Sequence, residues 1–386
     1  MVLTHDEAGT GDRITRQAGV REGHRRMRVG EVRVEFDGEH SLITAPIEFG
    51  GGSEELWFRV RGDRTHDARL ADAFLIVALL PAMRSADVLS ISGPVSRQLL
   101  RSVPRIQALL TEWYPELVTP VDVVASTRLV PGRRPERTAT CFTGGVDSFA
   151  TLLSRMDEIG SIAFIDGFDV PLTRPKKRGD VHEHLTDVAD STGKTVDFVA
   201  TNTRQFLLRY APWGPVMHGA AIASACLVAG LDRFGRLVIP SGATGQHLRP
   251  WGTHPELDHL WSTEYLEVEH DDARLTRMEK VALLRDDPVA QRHLRVCHRA
   301  SQHYNCGECY KCIRTMVTLD VYGVLPQFRM FPPQLDLAMV SSMPPRDATE
   351  RRYTQWNLEL ARAKPGKAAL AEALAASLRG YDGDGV

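Results

Sequence analysis

The chain has 386 residues, which is enough for two domains with sizeable cores. Its 43% hydrophobic and 25% charged residues are typical of a soluble globular protein, and a formal net charge of −2 provides no general attraction for nucleic acid. No apolar run approaches the length of a membrane span, and the cysteines carry no mark of secretion, so we expect a cytoplasmic protein without a membrane partner.

The first third of the chain carries no recognisable catalytic motif. Residues 1–30 are polar and rich in arginine and lack the apolar stretch of a signal peptide, so they are predicted to form a flexible arm. Residues 31–130 are predicted to form an α+β domain, with oligomerisation and substrate recruitment as alternative roles. Its predicted strands lie at 32–36, 56–60, 87–91 and 121–125, with helices at 71–83 and 95–113.

Strands and helices alternate after a predicted linker at 131–135. The predicted strands lie at 138–142, 162–165, 195–199 and 236–240, and the predicted helices at 182–191 and 219–230. Most of these strands are continuous apolar runs, which is typical of parallel strands buried on both faces. The pattern predicts an α/β fold with a parallel sheet and with ligands at the carboxyl ends of the strands.

A glycine-containing loop follows the first of these strands. Residues 142–148 read Phe-Thr-Gly-Gly-Val-Asp-Ser and precede a helical pattern. The start of a helix offers unpaired N–H groups, here those around Val146, and glycines at 144 and 145 let a phosphate approach the backbone closely. Thr143 and Ser148 add hydroxyl donors, while Asp147 suits a phosphate site only if a cation or an N–H group pairs with it. A glycine-rich turn without a ligand is the alternative.

Four of the six cysteines lie close together in the sequence. Cys297, Cys306, Cys309 and Cys312 have the spacing C-x8-C-G-x-C-x2-C. Such spacing directs thiolates toward one zinc ion at about 2.3 Å. An iron–sulfur cluster is the alternative, because spacing alone does not fix the metal. Cys141 and Cys226 lie in apolar runs and are predicted to be core residues.

These two motifs resemble a known enzyme family. Residues 143–148 resemble the SGGxDS signature of the PP-loop ATP pyrophosphatases, with Thr143 in place of the first serine. With the cysteine motif and the following Ile313-Arg314, residues 136–325 resemble 7-cyano-7-deazaguanine synthase and its relatives. The resemblance implies a PP-loop domain that binds Mg²⁺–ATP at 136–290 and a structural Zn²⁺ element at 291–325. Residues 326–386 are predicted to be a helical segment.

The resemblance also implies roles for individual residues. Asp166, after the second strand, and Gly242, after the fourth, lie where the family binds ATP. Arg277 takes the place of a lysine that the family carries at a helix start, and Lys280 lies one turn further along. Together with Asp147 these two cations are predicted to act in catalysis by neutralising phosphate charge. The alternatives are turn chemistry for Asp166 and Gly242, and a solvated helix face for the cations.

Two segments bear on the second substrate. Residues 254–258 differ from the Tyr-Pro-Asp stretch with which the synthase recognises its deazapurine, so the substrate itself stays open. His218 is a candidate for substrate contact or proton transfer, with a helix cap or core histidine as the alternative.

The combined prediction is an ATP-dependent ligase. In this reaction a carboxylate or amide oxygen is adenylated with release of pyrophosphate, and ammonia or an amine then forms an amide or nitrile. The expected partners are therefore small molecules, with a homo-oligomer as a further option. One alternative is a PP-loop enzyme that modifies RNA by thiolation or base activation, and another is a non-catalytic nucleotide-binding module.

Overall fold

The computed structural model describes residues 25–128, 134–242, 245–271, 274–297, 299 and 303–381. Within them the protein is α/β, as predicted, with eleven strands in one mixed, mostly parallel sheet. The strands are β1 (Arg26–Val29), β2 (Arg33–Phe36), β3 (His40–Phe49), β4 (Gly52–Arg61), β5 (Val88–Ser96), β6 (Asp122–Arg128), β7 (Thr138–Cys141), β8 (Ile159–Asp166), β9 (Thr195–Thr201), β10 (Arg236–Ile239) and β11 (Glu267–His270).

Helices connect and cover the strands. They are α1 (Ala71–Ser85), α2 (Arg97–Trp113), α3 (Val146–Ser154), α4 (Pro175–Thr192), α5 (Thr203–Leu207), α6 (His218–Gly230), α7 (Pro255–Asp258), α8 (Arg277–Leu284), α9 (Pro288–His293), α10 (Tyr310–Val321), α11 (Leu337–Ser341), α12 (Ala348–Arg362) and α13 (Ala368–Arg379). The predicted arm at 1–24 and most of the predicted linker, residues 131–133, lie outside the described residues. Residues 26–29, which were placed in that arm, form β1 instead.

The order of the strands fixes where a ligand can bind. The sheet runs β11-β10-β7-β8-β9-β4-β3-β1-β5-β6, with β2 paired to β3 at the side. The five strands from β11 to β9 are all parallel, and the chain moves outward from β7 in both directions. The sheet therefore has a topological switch point between β7 and β10, where a crevice opens at the carboxyl ends of the strands.

The first third of the chain adds its strands to the same sheet as these five parallel strands, which are called the parallel block below. β4 pairs antiparallel with β9, with Phe58 opposite Thr201 and Val60 opposite Val199. The apolar faces of α1 and α6 pack into one core cluster that runs through both parts. Residues 31–128 and the parallel block thus share a sheet and a core.

Helices cover both faces of the parallel strands, because alternate side chains of each strand enter different cores. In β8, Ala163 and Ile165 belong to the core with α6, whereas Ile162 and Phe164 belong to the core with α3, α4 and α8. A third, smaller core joins α10 to α11, α12 and α13. The parallel block is therefore a three-layer arrangement, as its apolar strands predicted.

Two stretches differ in detail from the sequence prediction. β5 extends beyond the strand predicted at 87–91, because a bulge between Ser90 and Pro94 lets it continue to Ser96. Residues 213–230 are the one helical stretch in the described part of the chain that is long and apolar enough to cross a membrane, but 72% of it is buried inside the protein. Such burial is typical of a core helix.

Candidate functional site

The glycine-containing loop lies at the switch point, directly after β7. Gly144 has φ +74°, a left-handed conformation that a side chain would disfavour, and it brings the chain around to α3. α3 begins at Val146, and no side chain caps its first turn. Val146 points its own side chain into the core, so it offers only its N–H group. The loop therefore presents the positive end of a helix to the crevice, as an anion site requires.

The loop opens into a cavity of about 610 Å³. This volume lies within the range of about 300 to 1,000 Å³ that is usual for small-molecule sites. Thr143, Asp147 and Ser148 line it, and the Ser148 hydroxyl donates to the Gly145 carbonyl at 3.0 Å. Gly242 lines the same cavity three residues after β10, and no atom of the described residues outside its chain neighbours lies within 4 Å of the position a Cβ would take.

Three of the predicted site residues form one ion cluster on the cavity wall. Arg277 and Lys280, on the first turn of α8, both donate to the carboxylate of Asp147, with 3.1 Å between Lys280 Nζ and Asp147 Oδ1. Lys280 also donates to the Ser241 carbonyl. Burial raises the pKa of Asp147, but the charges of Arg277 and Lys280 outweigh it and hold the pKa well below its usual range. The cluster therefore keeps one net positive charge beside the loop.

Further cations surround the loop. Arg295, Lys311 and Arg314 line a connected recess of the site together with Thr143, Gly145 and Ser148. The Nε atoms of Arg277, Arg295 and Arg314 are buried without a hydrogen-bond partner among the described residues. These cations, together with the net positive charge of the Asp147 cluster, make the recess electrostatically suited to an anion.

Asp166 does not join the predicted site. Its buried carboxylate accepts hydrogen bonds from Arg178 at 3.0 Å and from His182 at 2.9 Å, both on α4. These partners satisfy it away from the cavity. Asp169, at the end of the same turn, lines the cavity in its place. The strand end was predicted correctly, but α4 decides which of its carboxylates is available.

The four clustered cysteines come together in space as their spacing predicted. The sulfur atoms of Cys297, Cys306, Cys309 and Cys312 all lie within 4.8 Å of one another, and those of Cys306 and Cys312 are 3.8 Å apart. Thiolates that share one ion at about 2.3 Å lie roughly this close. None of the four forms a disulfide. The donor set and spacing therefore fit a single metal ion such as zinc.

Backbone groups support this cluster. The N–H groups of Cys309 and Cys312 donate to the sulfurs of Cys306 and Cys309 at 3.3 and 3.5 Å. Gly307 has φ +73°, and a Cβ there would come within 2.8 Å of Pro332. The tight turn between the second and third cysteines therefore requires glycine.

The cysteine cluster adjoins the loop. Cys309 caps the start of α10, and Lys311 and Arg314 lie on the first turns of that helix. Arg295 lies two residues before Cys297, and its N–H group donates to the Gly144 carbonyl at 2.7 Å. A metal in the cluster would thus fix three cations against the loop.

Sequence reasoning missed part of the cavity wall. α12 contributes Arg352, Tyr353 and Trp356, and Arg314 stacks over the Tyr353 ring at 4.5 Å. No local signal marks α12, because its role depends on packing against α8 and α10. Lys311 and Arg314 could have been found from the sequence, because cations within one helical turn of Cys312 must lie near the predicted metal motif.

His218 lies on another part of the wall, at the start of α6. Its Nδ1 lies 2.9 Å from the Gly214 carbonyl, and its Nε2 lies 3.3 Å from the Thr253 hydroxyl. Burial lowers its pKa, against the effect of the Asp258 charge. The imidazole is therefore neutral near pH 7, and it both caps a turn and faces the cavity.

A histidine pair behind the loop predicts a pH effect on stability. His293 contacts His184 with 2.9 Å between the two Nδ1 atoms, and burial, followed by the charge of His184, lowers the pKa of His293 from 6.5 to about 4. Between these values the unfolded chain binds a proton that the folded chain does not, so the free energy of unfolding should fall as pH drops from about 6.5 to about 4. Urea unfolding of His293→Gln across this range should show a shallower slope. The exposed His259, changed to Gln, should leave the slope unchanged, and equal slopes in all three proteins would contradict the assignment.

The structure thus brings together Thr143, Asp147, Ser148, Gly242, Arg277 and Lys280 at one cavity and places beside it a cysteine cluster that could hold a metal ion. Comparisons with protein-family models, with curated proteins and with solved structures found no match for this chain.

Proposed function

We propose that this chain is an AMP-forming, ATP-dependent ligase of the PP-loop type. The observation that carries the proposal is the loop at the switch point, where an uncapped helix start faces a cavity lined by Arg277, Lys280, Arg295, Lys311 and Arg314. A triphosphate carries enough negative charge to engage all of them. The strand order supports the PP-loop assignment, because the phosphate loop of nucleotide-binding α/β folds follows the first strand at such a point.

In the proposed first step, a carboxylate oxygen of the substrate attacks the α-phosphorus of ATP. The bond to the β-phosphate breaks, and pyrophosphate leaves with the electron pair. Negative charge builds up on the leaving group, and the fixed cations Arg277 and Lys280 stabilise it without having to reorganise. Asp147 holds both cations in place, and its oxygens also suit a Mg²⁺ ion, which would supply further charge neutralisation.

In the second step, ammonia or an amine attacks the carbonyl carbon of the acyl adenylate. AMP leaves, and the product is an amide. The wall formed by α12 supports an acidic, planar acceptor, since it combines Arg352 with the rings of Tyr353 and Trp356. Small-molecule partners and a cytoplasmic location are part of this proposal, as is zinc in the cysteine cluster.

The proposal is tested with ATP labelled at the α-phosphate. The protein is incubated with Mg²⁺, ammonium and a panel of carboxylic acids that includes 7-carboxy-7-deazaguanine. We expect AMP and pyrophosphate with at least one acid, and their loss in Asp147→Ala. Asp286→Ala, an exposed acid at the far end of α8, is the matched control and should keep the wild-type rate. ADP and phosphate in place of AMP would overturn the proposal.

One observation favours RNA thiolation as a second candidate. Cys141 lines the cavity beside the loop, although it is only 7% exposed, and its thiol contacts Cys226. A thiolating enzyme needs a sulfur-carrying cysteine near its nucleotide. Under this alternative, Cys141→Ser would abolish product formation on RNA, whereas the ligase proposal expects the variant to keep amide formation.

A further inference from the structure

A buried carboxylate and imidazole lie together at the end of β11. His270 Nδ1 is 2.7 Å from Asp258 Oδ2, and their side chains are 5% and 0% exposed. Asp258 also accepts from the His254 N–H at 3.2 Å, which fixes its second oxygen. The other ring nitrogen of His270, Nε2, is buried and has no partner within the described residues, yet His270 lines the large cavity.

Strand alternation sets which face His270 occupies. Its neighbours Glu269 and Asp271 contact Arg155 and Thr151 of the α3 region. Successive side chains of a strand point to opposite faces, so His270 lies on the face covered by α6 and α7. The cavity lies at the carboxyl ends of the strands. Its cations are therefore on the side of the sheet covered by α3 and α8, and the His270 imidazole is on the side covered by α6 and α7.

The pairing decides the chemistry of the free nitrogen. A carboxylate that accepts from Nδ1–H holds the imidazole in the tautomer whose Nε2 carries a lone pair. Such a nitrogen accepts a proton from a group within hydrogen-bond reach. In a protein core both nitrogens of a histidine are usually satisfied, whereas here the second one is shielded from solvent and has no partner in the described part of the chain.

We propose that His270, held by Asp258, is the general base for the amine that attacks the acyl adenylate. This assignment rests on the proposed ligase function. Bound ammonium first gives one proton to His270 Nε2, and the ammonia that this leaves attacks the carbonyl carbon and releases a second proton to solvent. The C–O bond to AMP then breaks, and AMP leaves with that electron pair. The products are the amide, AMP and a protonated His270, which returns its proton to solvent.

The ionisable groups that act on His270 lie on α7, just before α7, and at the start of α6. Asp258 of α7 favours the protonated imidazole, while His254, before α7, and His218, at the start of α6, oppose a second positive charge. A general base must be unprotonated to accept a proton, so the rate of the amine step should fall at acid pH.

The test separates the two steps with two nucleophiles. Ammonium needs a base at neutral pH, whereas hydroxylamine is already unprotonated and traps acyl adenylates without one. With the panel acid that yields AMP, His270→Gln should lower amide formation from ammonium by about 10²- to 10⁴-fold, the usual contribution of a general base. It should keep the wild-type rate of hydroxamate formation, and the acid limb of its pH profile should disappear.

Two further variants make the test decisive. Asp258→Asn keeps the size of the side chain but loses its charge, so it should also slow the ammonium reaction while sparing the hydroxylamine reaction. His259→Gln changes an exposed histidine one residue after Asp258 and should match the wild type. Equal use of ammonium by the wild type and by both dyad variants overturns the assignment and leaves the ligase intact. If the wild type makes no AMP with any acid, the ligase proposal fails and the assignment falls with it.

Discussion

Under the proposed function, replacing Cys309 by serine is expected to prevent the cysteine cluster from holding a metal and to abolish most ATP binding. Cys309 supplies a sulfur to the cluster, accepts the N–H of Cys312 and caps α10. Structural zinc contributes on the order of 10 to 16 kcal/mol of apparent binding free energy in small domains, so its loss should disorder the chain around it. That chain holds Arg295, Lys311 and Arg314 beside the loop at 143–148. We expect one zinc per wild-type chain by elemental analysis, and at least about a tenfold weaker ATP affinity in the variant by calorimetry.

Cys226→Ser is the matched control, because Cys226 is a buried thiol of α6 outside the cluster. It should keep both zinc and ATP affinity, even if its melting temperature falls. If the wild type contained iron and labile sulfide, the cluster would be assigned as an iron–sulfur site instead of a zinc site. A metal-free Cys309→Ser protein that melts and binds ATP as the wild type does would contradict the structural role.

The sequence predicted the parallel part of the fold because its signals are local. Apolar runs such as 162–165 and 236–240 are readable without knowledge of their partners, and the structure confirms strands at both places. The antiparallel link between β4 and β9 could not be predicted in this way, because it joins residues more than 130 positions apart. The same holds for β11, whose four residues are mostly polar and form a strand only because β10 lies beside them.

The candidate site likewise has a part that local sequence patterns predict and a part that depends on tertiary contacts. Thr143, Asp147 and Ser148 belong to one short motif, and Arg277 and Lys280 to one helix turn, so their chemistry could be recognised locally. That Arg277 and Lys280 both contact the carboxylate of Asp147 depends on tertiary packing, which the sequence does not show.

Asp166 shows the opposite case. A carboxylate at the end of a parallel strand is a reasonable candidate for ligand binding. Here, however, Arg178 and His182 of the following helix, α4, pair with it. No pattern in the strand itself reveals such competition. The Asp258–His270 pair escaped prediction for a related reason, since its members lie twelve positions apart in a stretch without regular periodicity.

Replacing Arg277 by alanine is expected to lower the rate of AMP formation by about 10²- to 10³-fold, with a smaller change in ATP affinity. Its side chain is 9% exposed, lies on the cavity wall and has one buried nitrogen without a partner among the described residues, so it is placed to meet charge that develops during the reaction. Removal of one preorganised donor of this kind costs about that much in rate. Arg277→Lys should recover part of the loss, because it restores the charge but not the planar pair of donors. Single-turnover kinetics with α-labelled ATP measures the chemical step directly.

The control for this prediction is Arg285→Ala, at the other end of α8. Arg285 is exposed, pairs with Asp286 and stacks over Tyr322, away from the cavity. It should keep the wild-type rate and therefore exclude a general effect of removing a cation from α8. The loss of Arg277 also leaves Asp147 with Lys280 as its one remaining ionic partner among the described residues, so a lower melting temperature is expected as well. Asp147→Asn combined with Arg277→Ala should restore that stability but not the rate. A double variant that regains both would show that Arg277 acts only by holding Asp147, and would contradict its role at the phosphates.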